Sequence, residues 1–145
     1  SEPISAVERD ELLEGSEPVT EVITQVQARR GQGKFRQDLL DVWGGACAVT
    51  GLACTEVLRA SHIKPWAEAT AKQRLDSSNG LLLEANLDVL FDRGLISFDE
   101  RGEMLVSGRL ASAHKEWLGV PRSLRFVNSE LAEYLAYHQR HVFQQ

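Results

Sequence analysis

The chain has 145 residues and a formal net charge of −5, with 43% hydrophobic and 26% charged residues. That length suits one domain with a core of its own, and the composition is ordinary for a soluble globular protein. Two cysteines exclude a disulfide framework. No apolar run approaches the ~18 residues of a membrane span, and no secretory h-region opens the chain. Cytoplasm is the expected location. The sequence starts at Ser1 rather than methionine, as a trimmed chain or a piece of a longer protein would.

Charge is unevenly spread. Residues 1–21 hold seven acids against one base, whereas residues 22–74 hold eight bases against four acids, a local +4. An acidic lead over 1–21 followed by a domain over 22–145 is the expected division. The basic middle is compatible with a phosphate-binding face, although most such runs are solvated surface. Because like charges repel, the lead is expected to oppose rather than support binding to a polyanion.

In chain order, Val19, Val22, Ile23 and Val26 follow the i, i+3, i+4, i+7 pattern of a helix in "PVTEVITQVQARR". "GQGK" is expected to interrupt it, and "FRQDLLDVW" to form a second short helix ending at Gly44-Gly45. "ACAVTG" and "TEVLRASHI" read as two extended segments around a turn at Gly51. Residues 65–78 are polar and without clear period, a long loop with one helical turn at most. "NGLLLEANLDVLFDRG" gives a turn signal, a short strand over Leu81 to Leu83, then a helix from Ala85 or Asn86 to Gly94. "LISFDERGEMLVS" is a hairpin around residues 99–102. Amphipathic stretches around 110–118 and 129–141 complete an α+β pattern.

"RASHIKPWAEA", from Arg59 to Ala69, places a lone histidine at the end of an extended segment just before Pro65. Alone, His62 reads as a core histidine at a strand end. Its surroundings in sequence give it a second reading. Asn79 opens the next strand seventeen residues later, and Asp88 and Asp92 follow at an i, i+4 spacing that puts both carboxylates on one helix face. A hairpin packed on that helix would set an imidazole opposite two carboxylates. That geometry suits metal-assisted phosphodiester hydrolysis. A neutral imidazole can take a proton from water near pH 7, and carboxylates can hold a hard divalent cation. An asparagine side chain at the strand end can lock the loop that aims the imidazole.

The pieces "CAVTG" (47–51), "ASHIKPW" (60–66), "NGLLL" (79–83), "LDVLFDRGLISFD" (87–99) and "YHQRHVF" (137–143) stand in an order and spacing that resembles the HNH endonucleases. The likeness is nearer to the subgroup in bacterial restriction and defence proteins, and it runs from about Gly31 to Phe143. The resemblance implies a central β-hairpin plus helix, the ββα-metal motif, with flanking helices and an additional hairpin. It implies an endonuclease acting on DNA phosphodiesters with a divalent metal, Mg²⁺ or Mn²⁺ foremost, with Ni²⁺ or Zn²⁺ as alternatives. It makes His62 the general base, Asn79 the positioning asparagine and Asp88 the metal ligand. Asp92 matches a second helix ligand of some members; the alternative is a structural carboxylate capping the turn at Gly94. Asn86 substitutes as ligand if the helix register differs. DNA is the implied partner, with an additional specificity domain or a homodimer as further expectations.

Two departures stand out. Many family members place Asp or His immediately before the base as a metal ligand, and this chain has Ser61, a poor ligand. A DNA-binding module that keeps the fold without catalysis is therefore the rival reading. The third place holds Asp88 rather than His, a sound ligand for a hard cation. Lys64, Arg93 and the basic cluster from Arg29 to Arg36 are candidates for DNA phosphates. Cys47 and Cys54 lack a second Cys-x-x-Cys pair, since Glu84 and Leu87 occupy its place, so they are expected to be buried free thiols. His138 and His141, an i, i+3 pair, are expected to pack on a helix face rather than bind metal.

Overall fold

The computed structural model describes residues 19–145; most of the acidic lead lies outside them. Two compact units divide the chain, Ser1–Lys34 and Phe35–Gln145. The described part of the first is helical. Helix α1 spans Val19–Trp43 without a break, through the "GQGK" expected to interrupt it. An interior glycine costs only ~1 kcal/mol relative to alanine and keeps its N–H, so a 25-residue helix can carry two. The stop falls where expected. Gly44 and Gly45 take φ of 68° and 70°, and the Gly45 N–H closes the last turn onto the Leu40 carbonyl at 2.8 Å.

The second unit is α+β, as its sequence pattern implies. "ACAVTG" forms turns instead of a strand. Its groups make isolated bonds, Cys47 N–H to Leu52 O and Ala48 N–H to Leu82 O, and so build no ladder. A 3₁₀ turn at Thr55–Val57 precedes strand β1, Leu58–His62. Helix α2, Ala71–Leu75, starts at Thr70, where a reciprocal Thr70–Gln73 capping box satisfies the first N–H groups. After a 3₁₀ turn at Ser77–Asn79, strand β2 covers Gly80–Glu84 and pairs antiparallel with β1, with His62 opposite Gly80 and Leu58 opposite Glu84.

Helix α3, Ala85–Asp92, returns along this hairpin and packs on both strands. Leu81, Leu82 and Leu83 have no exposed surface. A continuous apolar run is what a strand covered on both faces requires. The second hairpin pairs β3, Ile96–Phe98, with β4, Met104–Val106. Asp99 accepts from the Arg101 and Glu103 N–H groups in its loop. Helices α4, Ser112–Leu118, and α5, Ser129–His141, follow. The Asn128 side chain caps α5 by accepting from the Leu131 N–H at 2.9 Å.

The core joins Phe35 and Leu39 of α1 to the hairpin leucines, to Leu87, Leu90 and Phe91 of α3, and to Phe98 and Leu135. His138 belongs to it. The ring stacks on Phe91 with centroids 3.7 Å apart, and its two nitrogens meet Ser97 Oγ and the Phe91 carbonyl, each at 2.8 Å. Burial pushes its pKa down to about 4. His141 is exposed against Tyr137. The packing role expected of the pair is met by His138, while His141 stays on the surface. Cys47 is buried, but Cys54 is only partly covered and its thiol donates to Glu56, so the expectation of two buried thiols holds for one. Among the described residues no helix is long and apolar enough to cross a membrane.

Candidate active site

β1 ends at His62, and three groups fix its ring. Phe35 lies flat against one face, with centroids 3.9 Å apart and planes 4° from parallel. Trp66 meets it at an edge, 5.8 Å between centroids. Nε2 is 2.8 Å from the Arg74 carbonyl oxygen. A carbonyl only accepts, so Nε2 carries the hydrogen and the lone pair resides on Nδ1. Burial lowers the pKa of this half-buried imidazole, and the nearby Arg74 charge lowers it further, against the raising effect of the carbonyl bond. The ring is thus neutral near pH 7, and among the described residues Nδ1 has no hydrogen-bond partner.

Asn79 is wholly buried at the end of the 3₁₀ turn that precedes β2. Its Oδ1 accepts from the Lys64 N–H at 2.7 Å, and its Nδ2 donates to the Gln73 carbonyl at 3.1 Å. The Asn79 carbonyl accepts from the Ile63 N–H at 3.1 Å. One side chain therefore ties the segment after His62 to the segment before β2. Gln73 is next to Arg74, so the same ties hold the carbonyl that orients the imidazole. Asp76 extends the brace. It accepts from the Ser78 N–H at 2.9 Å and from the Tyr134 hydroxyl on α5 at 2.9 Å. Burial and that bond raise the Tyr134 pKa to about 12, so it stays a donor.

The helix residues lie apart from this network. Asp88 is half-buried on α3, and Asp92 and Asn86 are exposed. Among the described residues no group of three or more His, Cys, Asp and Glu side chains could hold a metal ion. Ser61 shows why the donor set is thin. It occupies the position before His62, is 5% exposed, and alternation along β1 turns it to the opposite face. A closed zinc-type shell does not fit these residues. Mg²⁺ asks less of a protein, since it takes one or two carboxylates and fills its shell with water and substrate phosphate oxygens. Asp92 does not cap the turn. Backbone bonds close it, Gly94 N–H to Phe91 O and Leu95 N–H to Leu90 O, with Gly94 at φ 71°.

The basic candidates divide. Arg36 is structural, its guanidinium donating to the Leu58 and Thr55 carbonyls at 2.7 and 3.0 Å. Lys64 lays its ammonium over the Tyr137 ring, 4.8 Å from the centroid, beside a cavity that Asp76, Glu130 and Glu133 also line. Arg29 and Arg93 are exposed. Sequence reasoning missed Phe35 and Arg74. A backbone carbonyl leaves no mark in sequence, but Gly80 is a usable sign. A Cβ there would fall 2.8 Å from Leu39 Cδ1 and collide with the Phe35 ring tip, so only glycine lets α1 approach closely enough to cover His62.

No curated protein matches the chain. Residues 47–99, which span β1, the asparagine loop, β2, α3 and β3, match the family model described as HNH endonuclease. Over that segment the chain is similar to the HNH endonucleases.

Proposed function

We propose that the protein is a divalent-metal-dependent endonuclease that hydrolyses DNA phosphodiester bonds, and that it serves bacterial restriction or defence. The observation that carries the reading is the His62 ring with Nε2 engaged by the Arg74 carbonyl and Nδ1 free. Nδ1 takes the proton from the attacking water as its oxygen bonds to phosphorus; the P–O bond to the sugar oxygen breaks, and that oxygen leaves with its electron pair and is protonated from solvent. Phe35 and the Arg74 carbonyl hold the ring plane, so little reorientation is needed when the water arrives. Asn79 acts through the loop, keeping Lys64 and Gln73 in place. Asp88 is the carboxylate assigned to the metal, with Asp92 or Asn86 the alternatives on α3. The bound cation supplies charge stabilisation at the phosphate and the leaving oxygen. The subgroup likeness of "CAVTG" and "ASHIKPW" supports the restriction or defence role, with sequence specificity assigned to a further domain or a second copy.

Ser61 favours one rival, a DNA-binding module without catalysis. Plasmid incubated with Mg²⁺, Mn²⁺, Ni²⁺ or EDTA separates the two. The proposal expects nicking or linearisation with at least one metal and none in EDTA. Binding without cleavage in every metal would establish the rival.

A further inference from the structure

Arg74 is tied to His62 through its backbone, but its side chain has a separate arrangement. The residue sits in the last turn of α2, with its N–H bonded to the Thr70 carbonyl at 2.9 Å. Nε donates to the Trp66 carbonyl at 2.9 Å, and the guanidinium carbon lies 4.4 Å from the Trp66 ring centroid. The indole is thus flanked by Arg74 and, at its edge, by His62. Neither Nη1 nor Nη2 has a protein partner among the described residues. Arg36, by contrast, spends both Nη groups on backbone carbonyls, and Arg125 spends its Nη2 on two of them. A partly covered guanidinium, stacked and held by one nitrogen, presents its other two as a fixed fork. Such forks match phosphate oxygens in two parallel bonds.

We propose that Arg74 is a substrate-binding residue whose Nη1 and Nη2 hold a phosphate of the DNA strand beside His62. This rests on the nuclease reading above and names a residue of the same site. The charge compensates the anion there and adds to burial, the larger cause, in disfavouring the imidazolium. The carbonyl that orients His62 is unchanged by any substitution of the Arg74 side chain, so binding and orientation can be tested apart.

The test measures duplex DNA binding in EDTA across a salt series for wild type, Arg74→Gln and Arg74→Lys, with plasmid cleavage in Mg²⁺ or Mn²⁺ alongside. Loss of one phosphate contact lowers the slope of log affinity against log salt by about 1. The proposal expects that drop in Arg74→Gln, with cleavage efficiency down by about 10- to 100-fold, and a wild-type slope in Arg74→Lys. Melting curves confirm folding. Should Arg74→Gln be unfolded, Arg74→Met, whose stem still covers Trp66, replaces it. A wild-type slope in the neutral variant would overturn the proposal, even with cleavage lost, because Arg74 would then act only by holding Trp66. Wild type that binds but never cuts would overturn the nuclease reading while the slopes still decide Arg74. Wild type that does not bind DNA would overturn both.

Discussion

His62 and Gly80 face each other across the β1–β2 ladder, and Phe35 packs over both. The missing side chain on one strand makes room for the ring that aligns the imidazole on the other. Gly80→Ala is therefore expected to displace Phe35 and Leu39 and destabilise the protein by about 1–3 kcal/mol, the usual range for overpacking. Cleavage should fall further than stability alone explains, because the imidazole loses its flat support. Denaturant unfolding together with single-turnover cleavage checks this. A wild-type cleavage rate in the Gly80→Ala protein would show that the stack does not matter for catalysis.

Asn79 makes a different kind of support. Asn79→Ala leaves the Lys64 N–H without its acceptor, and an unmet buried donor costs about 1–3 kcal/mol. Because the base itself remains, the expected effect on cleavage is smaller than that of removing His62. Asn79→Asp keeps the acceptor but loses the donor to Gln73, so it should recover part of the stability. Urea unfolding of both variants tests the order.

Much of this arrangement is readable in sequence, and the limits have physical causes. The β1 and β2 segments, α3 and the second hairpin follow from alternation, an apolar run and turn residues. His62 and Asn79 are legible because each stands at the boundary of an extended segment. The break assigned to "GQGK" fails because glycine weakens a helix without removing a hydrogen bond. "ACAVTG" carries strand propensity but turns back on itself, so its one bond to β2, Ala48 N–H to Leu82 O, is not continued into a ladder. The orienting carbonyl of Arg74 and the covering ring of Phe35 depend on tertiary approach, which local patterns do not encode.

His138 makes stability pH-dependent. Its folded pKa is about 4 against an ordinary value of about 6.5 when unfolded. Between those values the unfolded chain binds more protons, so stability rises with pH there. The contribution is complete above about pH 6.5, is lost as pH falls towards 4, and amounts to about 3 kcal/mol at most. Urea unfolding at about pH 7.5 and about pH 5 should show a smaller difference in His138→Gln than in wild type. Equal differences would remove His138 as the cause.

We propose Asp88 on α3 as the metal ligand. Asp88→Ala should weaken divalent-cation affinity and cleavage together, since one carboxylate supplies both charge and position. Calorimetry with Mn²⁺ in the presence of non-cleavable duplex checks it. Normal affinity in Asp88→Ala with loss in Asn86→Ala would move the ligand to Asn86.

The role of His62 is tested most directly by single-turnover plasmid cleavage at saturating metal, comparing wild type with a folded His62→Ala protein. Removal of a general base is expected to lower the rate by about 10²–10⁴-fold while DNA binding stays near wild type. A His62→Ala protein that cleaves at the wild-type rate would contradict the account.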